Sequence, residues 1–364
     1  MNTISSVLCG CFPCCGRNSS VLINGQHYAI QRLLGEGGFS FVYLVQSREN
    51  NDLFALKKIH CPFGNIESVS EAMREVNSYK KFRSPYITHC VSSQVVQEQD
   101  GSKTVFILLP YFPTGSLLDK INTHLLDGTT ISEEEIVRIL VSVARGLRTM
   151  HNPTGQEDSI EDQTSVNTDL QYRDTVSMTY NEDLRLLNDS LELEVLSGNT
   201  SSFMASTTAY SHKDIKPANI MFSSDGLPVI CDLGSCSRAH VDISSRSQLV
   251  EFQEWCNEHC TLPFRSPELL NVTLNSKIDE KVDIWSLGCT LYCMCFGISP
   301  FEREEQLNGA SMTYAIATGK FSIPPNTNYS PELIKMIKDC IEVDSKKRPS
   351  IDELLARLQD LQGS

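Results

Sequence analysis

The residues best suited to chemistry in this chain fall within eight positions, His212-Lys-Asp-Ile-Lys-Pro-Ala-Asn219. Asp214 can accept the proton of an attacking hydroxyl, and Lys216 can neutralise a phosphoryl group in flight. Asn219 can ligate a magnesium ion. Thirteen residues later Asp232 follows the apolar end of Ile230-Cys-Asp-Leu-Gly234 and offers a second oxygen ligand. Magnesium prefers such hard oxygens, keeps several waters and is bound jointly with substrate phosphates, so few protein ligands suffice.

Upstream, Leu34, Gly35, Glu36, Gly37, Gly38, Phe39, Ser40, Phe41 and Val42 form a glycine-rich stretch between two β-type runs. Glycines let backbone N–H groups approach phosphate oxygens with no Cβ in the way. Alone the stretch says little, because glycine turns between strands are common. It lacks the Gly-Lys-Ser ending of a Walker A loop and precedes a strand instead of a helix, which argues against a dinucleotide fold. Fifteen residues beyond Val42, Lys57 lies in Phe54-Ala-Leu-Lys57 on a later strand. A strand lysine behind a glycine loop can reach α- and β-phosphates if a carboxylate holds it, and Glu75 on the next helix is the candidate.

Taken in order, these motifs resemble the protein kinase family: a glycine loop, a strand lysine, a helix glutamate, H-R-D-x-x-x-x-N, D-F-G and A-P-E. Ser266-Pro-Glu268 stands for the last of these, Asp283-Ile-Trp-Ser-Leu-Gly288 resembles the family's central buried helix, and Arg348 resembles the arginine that pairs with Glu268. The resemblance covers about residues 24–151 and 210–362. It implies an α+β, bilobal fold, with a β-rich N-lobe over about 24–109 and a helical C-lobe over about 113–362. It also implies ATP and Mg2+ as cofactors, with Mn2+ able to substitute. Leu109 resembles the gatekeeper, and Pro110-Tyr111-Phe112 the hinge whose Phe112 backbone binds adenine. Val42, Ala55 and Met221 resemble the apolar clamp on the ring, and Tyr79, His212 and Leu233 the spine between lobes. Lys216 and Thr261 match serine/threonine kinases, so the acceptors are protein Ser and Thr.

Three departures matter. Ser40 replaces a loop glycine, and Leu233 replaces the Phe of D-F-G. Lys213 replaces the arginine that grips an activation-loop phosphate, a bidentate fork that lysine cannot copy. Weak dependence on activation-loop phosphorylation is therefore expected. Leu249, Phe252, Trp255, Cys256 and His259 keep helical spacing over 248–260, and a helix there resembles the Numb-associated kinase family. The cysteine-rich start, with the glycine loop and Asp232-Leu-Gly-Ser235, resembles its lipid-anchored, serine/threonine kinase 16-like branch, and within it a fungal vacuolar-membrane member. Two readings compete with an active protein kinase. One is a membrane-bound pseudokinase scaffold, against which the complete set Lys57, Glu75, Asp214, Lys216, Asn219 and Asp232 counts. The other is a lipid kinase, against which the Ser/Thr substrate pattern counts.

The elements that must position these residues are legible by texture. Strands are expected at 28–34, 41–46, 53–59, 87–97 and 104–109. A mixed-charge helix is expected over 68–82, and a second from a capping box at Ser132 and Glu135 to His151. The uncharged run Leu287 to Pro300 is too short to span a bilayer and reads as a buried helix. A last helix is expected over 351–361. Residues 152–209 break the texture, with eleven Asp/Glu, two Arg and sixteen Ser/Thr. That composition predicts a disordered acidic insertion. Within it Leu184 to Leu196 reads as a transient helix or docking motif, and Tyr172-Arg-Asp174 is a decoy lacking the lysine and asparagine of the catalytic motif.

The formal charge is −14, and the insertion alone carries −9 of it. An acidic chain lacks the basic footprint of nucleic-acid binders and the bulk attraction to anionic lipid. Of 14 cysteines, Cys9, Cys11, Cys14 and Cys15 crowd the first fifteen residues. No secretory signal pattern is present, so reduced thiols in a cytosolic setting are expected. Asn2 excludes N-myristoylation. Metal binding by the tail lacks a His or a second ligand cluster, so residues 1–20 are read as a palmitoylated tail, acylated at Cys14 and Cys15, with Cys9 and Cys11 as further candidates. The implied site is the cytosolic face of an endomembrane, vacuolar in preference to Golgi, with no transmembrane helix. The relatives imply a role in membrane traffic or fusion, and the insertion's hydroxyls imply autophosphorylation.

Overall fold

The computed structural model describes residues 19–37, 40–152 and 208–363. Gly38 and Phe39, the tail cysteines, Leu184 to Leu196, Tyr172-Arg-Asp174 and nearly all of the expected insertion lie outside the described residues.

The first lobe is an antiparallel sheet of six strands: β1 (Ser20–Ile23), β2 (Gln26–Glu36), β3 (Ser40–Ser47), β4 (Leu53–Cys61), β5 (Ser92–Gln97) and β6 (Lys103–Pro110), in the order β1-β2-β3-β4-β6-β5. The sheet begins earlier than the expected boundary at 24. Val21 and Ile23 are buried against Tyr28, Val45, Leu56 and Phe106, so β1 is an integral edge of the lobe and not part of a tail. Helix α1 (Ile66–Lys81) starts two residues before its expected start, where the Asn65 carboxamide accepts the Ser68 N–H. Capping of this kind satisfies a donor that the first turn leaves free. The strand expected from 87 begins only at Ser92; Ile87 instead makes a single parallel bridge to Ile230 in the second lobe.

The second lobe holds α2 (Leu117–Leu126) and α3 (Glu133–His151), then the short strands β7 (Tyr210–Ser211), β8 (Ile220–Phe222), β9 (Pro228–Ile230), β10 (Ser237–Arg238) and β11 (Val241–Asp242). Helices α4 (Arg246–His259) and α5 (Pro267–Leu270) follow, then β12 (Lys277–Ile278) and α6 (Lys281–Phe296). Four more helices close the lobe: α7 (Pro300–Asn308), α8 (Met312–Thr318), α9 (Pro331–Cys340) and α10 (Ile351–Gly363). Half of the box expected at Ser132 forms. Its hydroxyl accepts the Glu135 N–H, but the Glu135 carboxylate turns away to Lys120 and Arg138. Ion pairing outbids the reciprocal cap here because two cations face that carboxylate.

The buried helix expected over Leu287 to Pro300 starts six residues earlier, as α6, and ends at Phe296, capped by Gly297, whose φ of 76° suits glycine. Nearly every side chain of α6 is buried, including Trp285 and Tyr292, so it serves as the pillar of the lobe. Its Gly288 lies where a Cβ would come within 2.6 Å of the Cys340 Cβ, which is how α6 and α9 approach so closely. Among the described residues no single helix is long and apolar enough to cross a membrane. α6 and α7 meet that measure only together, across a 62° bend.

Candidate active site

Strand register builds the upper wall of the cleft. Val42 on β3 pairs with Lys57 on β4, and Ala55 on β4 pairs with Leu109 on β6. Val42, Ala55 and Leu109 are each half-buried, as is Met221 on β8. Leu34 and Gly35 lead up β2 to the glycine turn, which the Gly37 N–H closes on the Ser40 carbonyl at 2.7 Å, with Glu36 paired to Phe41. The Phe112 carbonyl accepts the Gly115 N–H at 3.3 Å.

Lys57 is the hinge point of the electrostatics. Its Nζ donates to Glu75 Oε1 at 2.7 Å and to Asp232 Oδ1 at 2.9 Å. Burial alone would lower the Lys57 pKa, but Asp232 and Glu75 together push it above the ordinary lysine value. Asp232 is held at about 2, chiefly by the Lys57 ammonium, with burial opposing. Burial raises the Glu75 pKa, and Lys57 counteracts this. The Tyr79 hydroxyl donates to Glu75 Oε1 at 3.2 Å and accepts the Leu233 N–H at 3.3 Å. One phenol thus ties α1 to the Asp232-Leu-Gly turn, where Asp232 adopts a left-handed φ of 59°.

Across the cleft, Asp214 Oδ2 accepts Lys216 Nζ at 2.7 Å and Asn219 Nδ2 at 3.2 Å, and its Oδ1 accepts the Thr261 N–H at 2.8 Å. Lys216 Nζ also reaches Thr261 Oγ1 at 2.7 Å. Asp214, Lys216, Asn219 and Thr261 therefore form one hydrogen-bonded cluster. Both amide contacts of Asn219 use its nitrogen, the second being to the Asp214 carbonyl at 2.9 Å, which leaves Oδ1 as its ligand atom. Asp232 keeps Oδ2 beyond its bond to Lys57. Among the described residues no group of three or more His, Cys, Asp or Glu converges to hold a metal unaided. Two hard oxygens fit a divalent ion that arrives with phosphate and completes its shell with water.

The loop carrying Asp214 is fixed from beneath. Asp283 accepts the backbone N–H groups of His212 and Lys213, each at 2.8 Å, and its Oδ2 lies 2.9 Å from His151 Nε2. Burial works to raise the Asp283 pKa, but His151, His212 and the loop N–H groups hold it below the ordinary value. Arg348 makes a two-pronged pair with Glu268 at 2.6 and 2.9 Å, as expected from the motifs. Lys213, almost fully buried, donates to Ser237 Oγ at 2.5 Å and to the Arg238 carbonyl at 2.8 Å. Burial lowers its pKa, against the pull of Asp283.

Sequence reasoning did not find His151 or the double role of the Tyr79 hydroxyl. His151 ends a helix 61 positions before His212, and nothing in its local spacing points to Asp283. The spacing of Glu75 and Tyr79, four apart on one helix face, was the available signal for their contact.

Comparison with known proteins gives the same direction. The family model described as "Protein kinase domain" matches residues 28–154 and 204–358. The chain is 52% identical over 363 residues to "Serine/threonine-protein kinase ENV7" of Saccharomyces cerevisiae, covering 96% of each. It is 37% identical over 364 residues to "Serine/threonine-protein kinase ppk13" of Schizosaccharomyces pombe, covering 100% of this chain and 97% of that one. It is 30% identical over 348 residues to "Serine/threonine-protein kinase 16" of Homo sapiens, covering 96% and 94%.

Proposed function

The chain belongs to the protein kinase family as a serine/threonine protein kinase of the serine/threonine-protein kinase 16-like branch, and from that membership we propose how its residues act and where it works. The enzyme uses ATP and a divalent metal on protein substrates, and in this reading the metal is Mg2+.

The observation that carries the reading is Lys57 Nζ holding Glu75 and Asp232 at once, at 2.7 and 2.9 Å. With its charge fixed by two carboxylates, Lys57 orients the α- and β-phosphates. Leu34, Val42, Ala55, Leu109 and Met221 enclose the adenine, and the Phe112 N–H reads its edge. Gly35, Glu36, Gly37, Gly38, Phe39 and Ser40 cover the phosphates. Asn219 and Asp232 would hold Mg2+, which would supply neutralisation of phosphate charge. Asp214 accepts the acceptor hydroxyl's proton. Lys216, spanning Asp214 and Thr261 at 2.7 Å each, counters charge on the transferring group. Such catalysis is mostly positioning and charge neutralisation. Asp283, Glu268 and Arg348 keep the loops in register.

The enzyme works at the cytosolic face of an endomembrane, vacuolar in preference to Golgi, where it regulates membrane traffic or fusion and phosphorylates hydroxyls of its own segment 152–209. Acyl chains on Cys14 and Cys15, aided by Cys9 and Cys11, anchor it. Support comes from the paired thiols and from the first twenty residues holding a single basic side chain, Arg17, so charge alone gives no anchor. One acyl chain binds marginally and two bind stably. The Cys14→Ser/Cys15→Ser variant should move to the soluble fraction. Persistence in the membrane pellet, with Cys9 and Cys11 also replaced, contradicts the anchor.

The test of the catalytic reading is purified full chain with Mg2+ and labelled ATP, beside Asp214→Ala, followed by acid hydrolysis of the product. Label on phosphoserine and phosphothreonine in the parent alone is expected. No label in either protein points to the pseudokinase scaffold, and equal label in both removes Asp214 from the mechanism.

A further inference from the structure

Helix α4 reaches the loop that carries Asp214 through a lysine that the transfer chemistry does not use. Lys213 precedes Asp214 and is almost fully buried. Its backbone is left-handed, with a φ of 65°, and its N–H is held by Asp283 Oδ1 at 2.8 Å. A lysine keeps such a conformation only where its surroundings over-determine it. Its ammonium has three donors and no acceptor. Two donors go to β10, to Ser237 Oγ at 2.5 Å and to the Arg238 carbonyl at 2.8 Å. The oxygens of Asp283 are engaged with the N–H groups of His212 and Lys213 and with the His151 ring. The further group that Lys213 Nζ lies over is the Trp255 ring of α4, 5.8 Å from its centre.

We propose that Trp255 is a positioning residue, whose ring takes the remaining side of the Lys213 ammonium and so ties α4 to the residue before Asp214, in the role an activation-loop phosphate plays for the arginine that Lys213 replaces. The effect on transfer rests on the function proposed above; the tether itself does not.

The physical chemistry favours this pairing. A cation within about 6 Å of an aromatic centre is attracted by the ring quadrupole, most strongly by Trp, and more so where water is excluded. Burial lowers the Lys213 pKa, and the ring joins Asp283 in favouring the charged form. Lysine is a compact point charge, which suits two oxygens and a ring better than a two-pronged grip on phosphate.

The ring is also set in place beforehand. Phe252, Trp255 and His259 are three and four residues apart on one face of α4, and such neighbours touch. The Phe252 ring lies 5.8 Å from that of Trp255 at 13°, and the His259 ring 4.8 Å from it at 9°. His259 is fixed in turn by its Nδ1, 2.9 Å from the Trp255 carbonyl. Phe252 and Trp255 also pack against the small core of Ile243, Cys256 and Leu269. Six residues beyond Trp255, the Thr261 N–H holds Asp214 Oδ1 at 2.8 Å. The segment from α4 to Thr261 thus grips two successive residues, Lys213 by a ring and Asp214 by a backbone donor. A phosphate comes and goes, whereas this tether is part of the chain.

The experiment compares full-length parent, Trp255→Phe, Trp255→Leu, Lys213→Met and the Lys213→Met/Trp255→Leu double variant, by steady-state kinetics and by amide hydrogen exchange. Loss of one desolvated contact of this kind should lower kcat roughly 10- to 30-fold in Trp255→Leu, with the ATP KM within about two-fold of the parent. Trp255→Phe keeps an aromatic face and should recover most of that loss. In the Lys213→Met background, Trp255→Leu should add less than about two-fold, because the ring has no cation left to hold. An equal loss in both backgrounds means that Trp255 only packs, and overturns the proposal, as does a Trp255→Leu kcat equal to the parent's. Should Trp255→Leu not fold, Lys213→Met decides, and an undiminished kcat overturns the proposal. Exchange across residues 210–216 should quicken in Trp255→Leu and not in Trp255→Phe. That measurement needs no activity. A parent that transfers nothing therefore counts against the function proposed above, and unchanged exchange in Trp255→Leu counts against the tether.

Discussion

The Tyr79→Phe variant tests how tightly the two halves of the site are joined. The phenol is buried and makes two contacts, donating to Glu75 Oε1 at 3.2 Å and accepting the Leu233 N–H at 3.3 Å. Burial, then Glu75 and Asp232, pushes its pKa far up, so it remains a donor at any working pH. Phenylalanine keeps the ring and creates no cavity, so only the two hydrogen bonds change. A bond to a charged group contributes about 1.5–3 kcal/mol, and a buried N–H left unpaired costs about 1–3 kcal/mol. Both distances are long, which places the total near the low end, about 2–3 kcal/mol. If the loss falls on the assembled state that links α1 to the Asp232 turn, kcat/KM for ATP drops roughly 30- to 150-fold, at about 1.4 kcal/mol per decade. Thermal unfolding should fall by about 3–5 °C, at an unfolding entropy of about 2.1 cal/mol/K per residue over a domain of this size. The assays are steady-state kinetics with ATP varied and a thermal scan of the same preparation. Activity within about two-fold of the parent, with an unchanged unfolding temperature, refutes the joining role of the hydroxyl.

Three other outcomes follow from the same contacts. Arg348→Leu leaves Glu268 unpaired and strands the carbonyls of Lys281, Glu342 and Val343 that the guanidinium now serves, so denaturant unfolding should show a loss of about 3–5 kcal/mol; a loss below about 1 kcal/mol contradicts the ion pair's structural role. Asp232, held at about 2 when folded against about 3.9 when unfolded, adds stability that is complete above pH ~4 and is lost as pH falls toward 2; Asp232→Asn should therefore lose less stability than the parent between about pH 5 and about pH 3, and equal losses would argue against the Lys57 contact. Lys213 already spends its ammonium on Ser237 and Arg238, so phosphatase treatment should leave activity intact, and restoration of a lost activity by a single activation-loop phosphate would refute this.

How much of this was legible beforehand depends on the kind of residue. Lys57, Glu75, Asp214, Lys216, Asn219 and Asp232 could be read because each chemical role needs one residue type at a fixed offset from a strand or turn. The structure gathers them into two hydrogen-bonded groups, Lys57 with Glu75 and Asp232, and Asp214 with Lys216 and Asn219. The Glu268 and Arg348 contact, 80 positions apart, could be named only through family resemblance, since no local pattern links them. Helix α4 was visible from its apolar spacing, which survives because Leu249, Phe252 and Cys256 face one small core. Boundaries were harder. Ser20 fell in the expected tail and Val21–Ile23 ahead of the expected domain start at 24, because four residues are too few to show alternation against a polar neighbourhood. The Glu135 cap failed because Lys120, far away in sequence, competes for the same carboxylate. His151 and the Tyr79 hydroxyl act through partners that only tertiary packing supplies.

The central claim is that Asp214, steadied by Lys216 and Thr261, serves the transfer step and not the binding of nucleotide. The most direct measurement separates the two: ATP affinity by equilibrium titration, and kcat on a protein acceptor, for the parent and for Asp214→Asn. The account predicts an ATP Kd within about two-fold of the parent and a kcat lower by roughly 10²–10⁴-fold. An unchanged kcat, or a loss that appears wholly in ATP affinity, would contradict it.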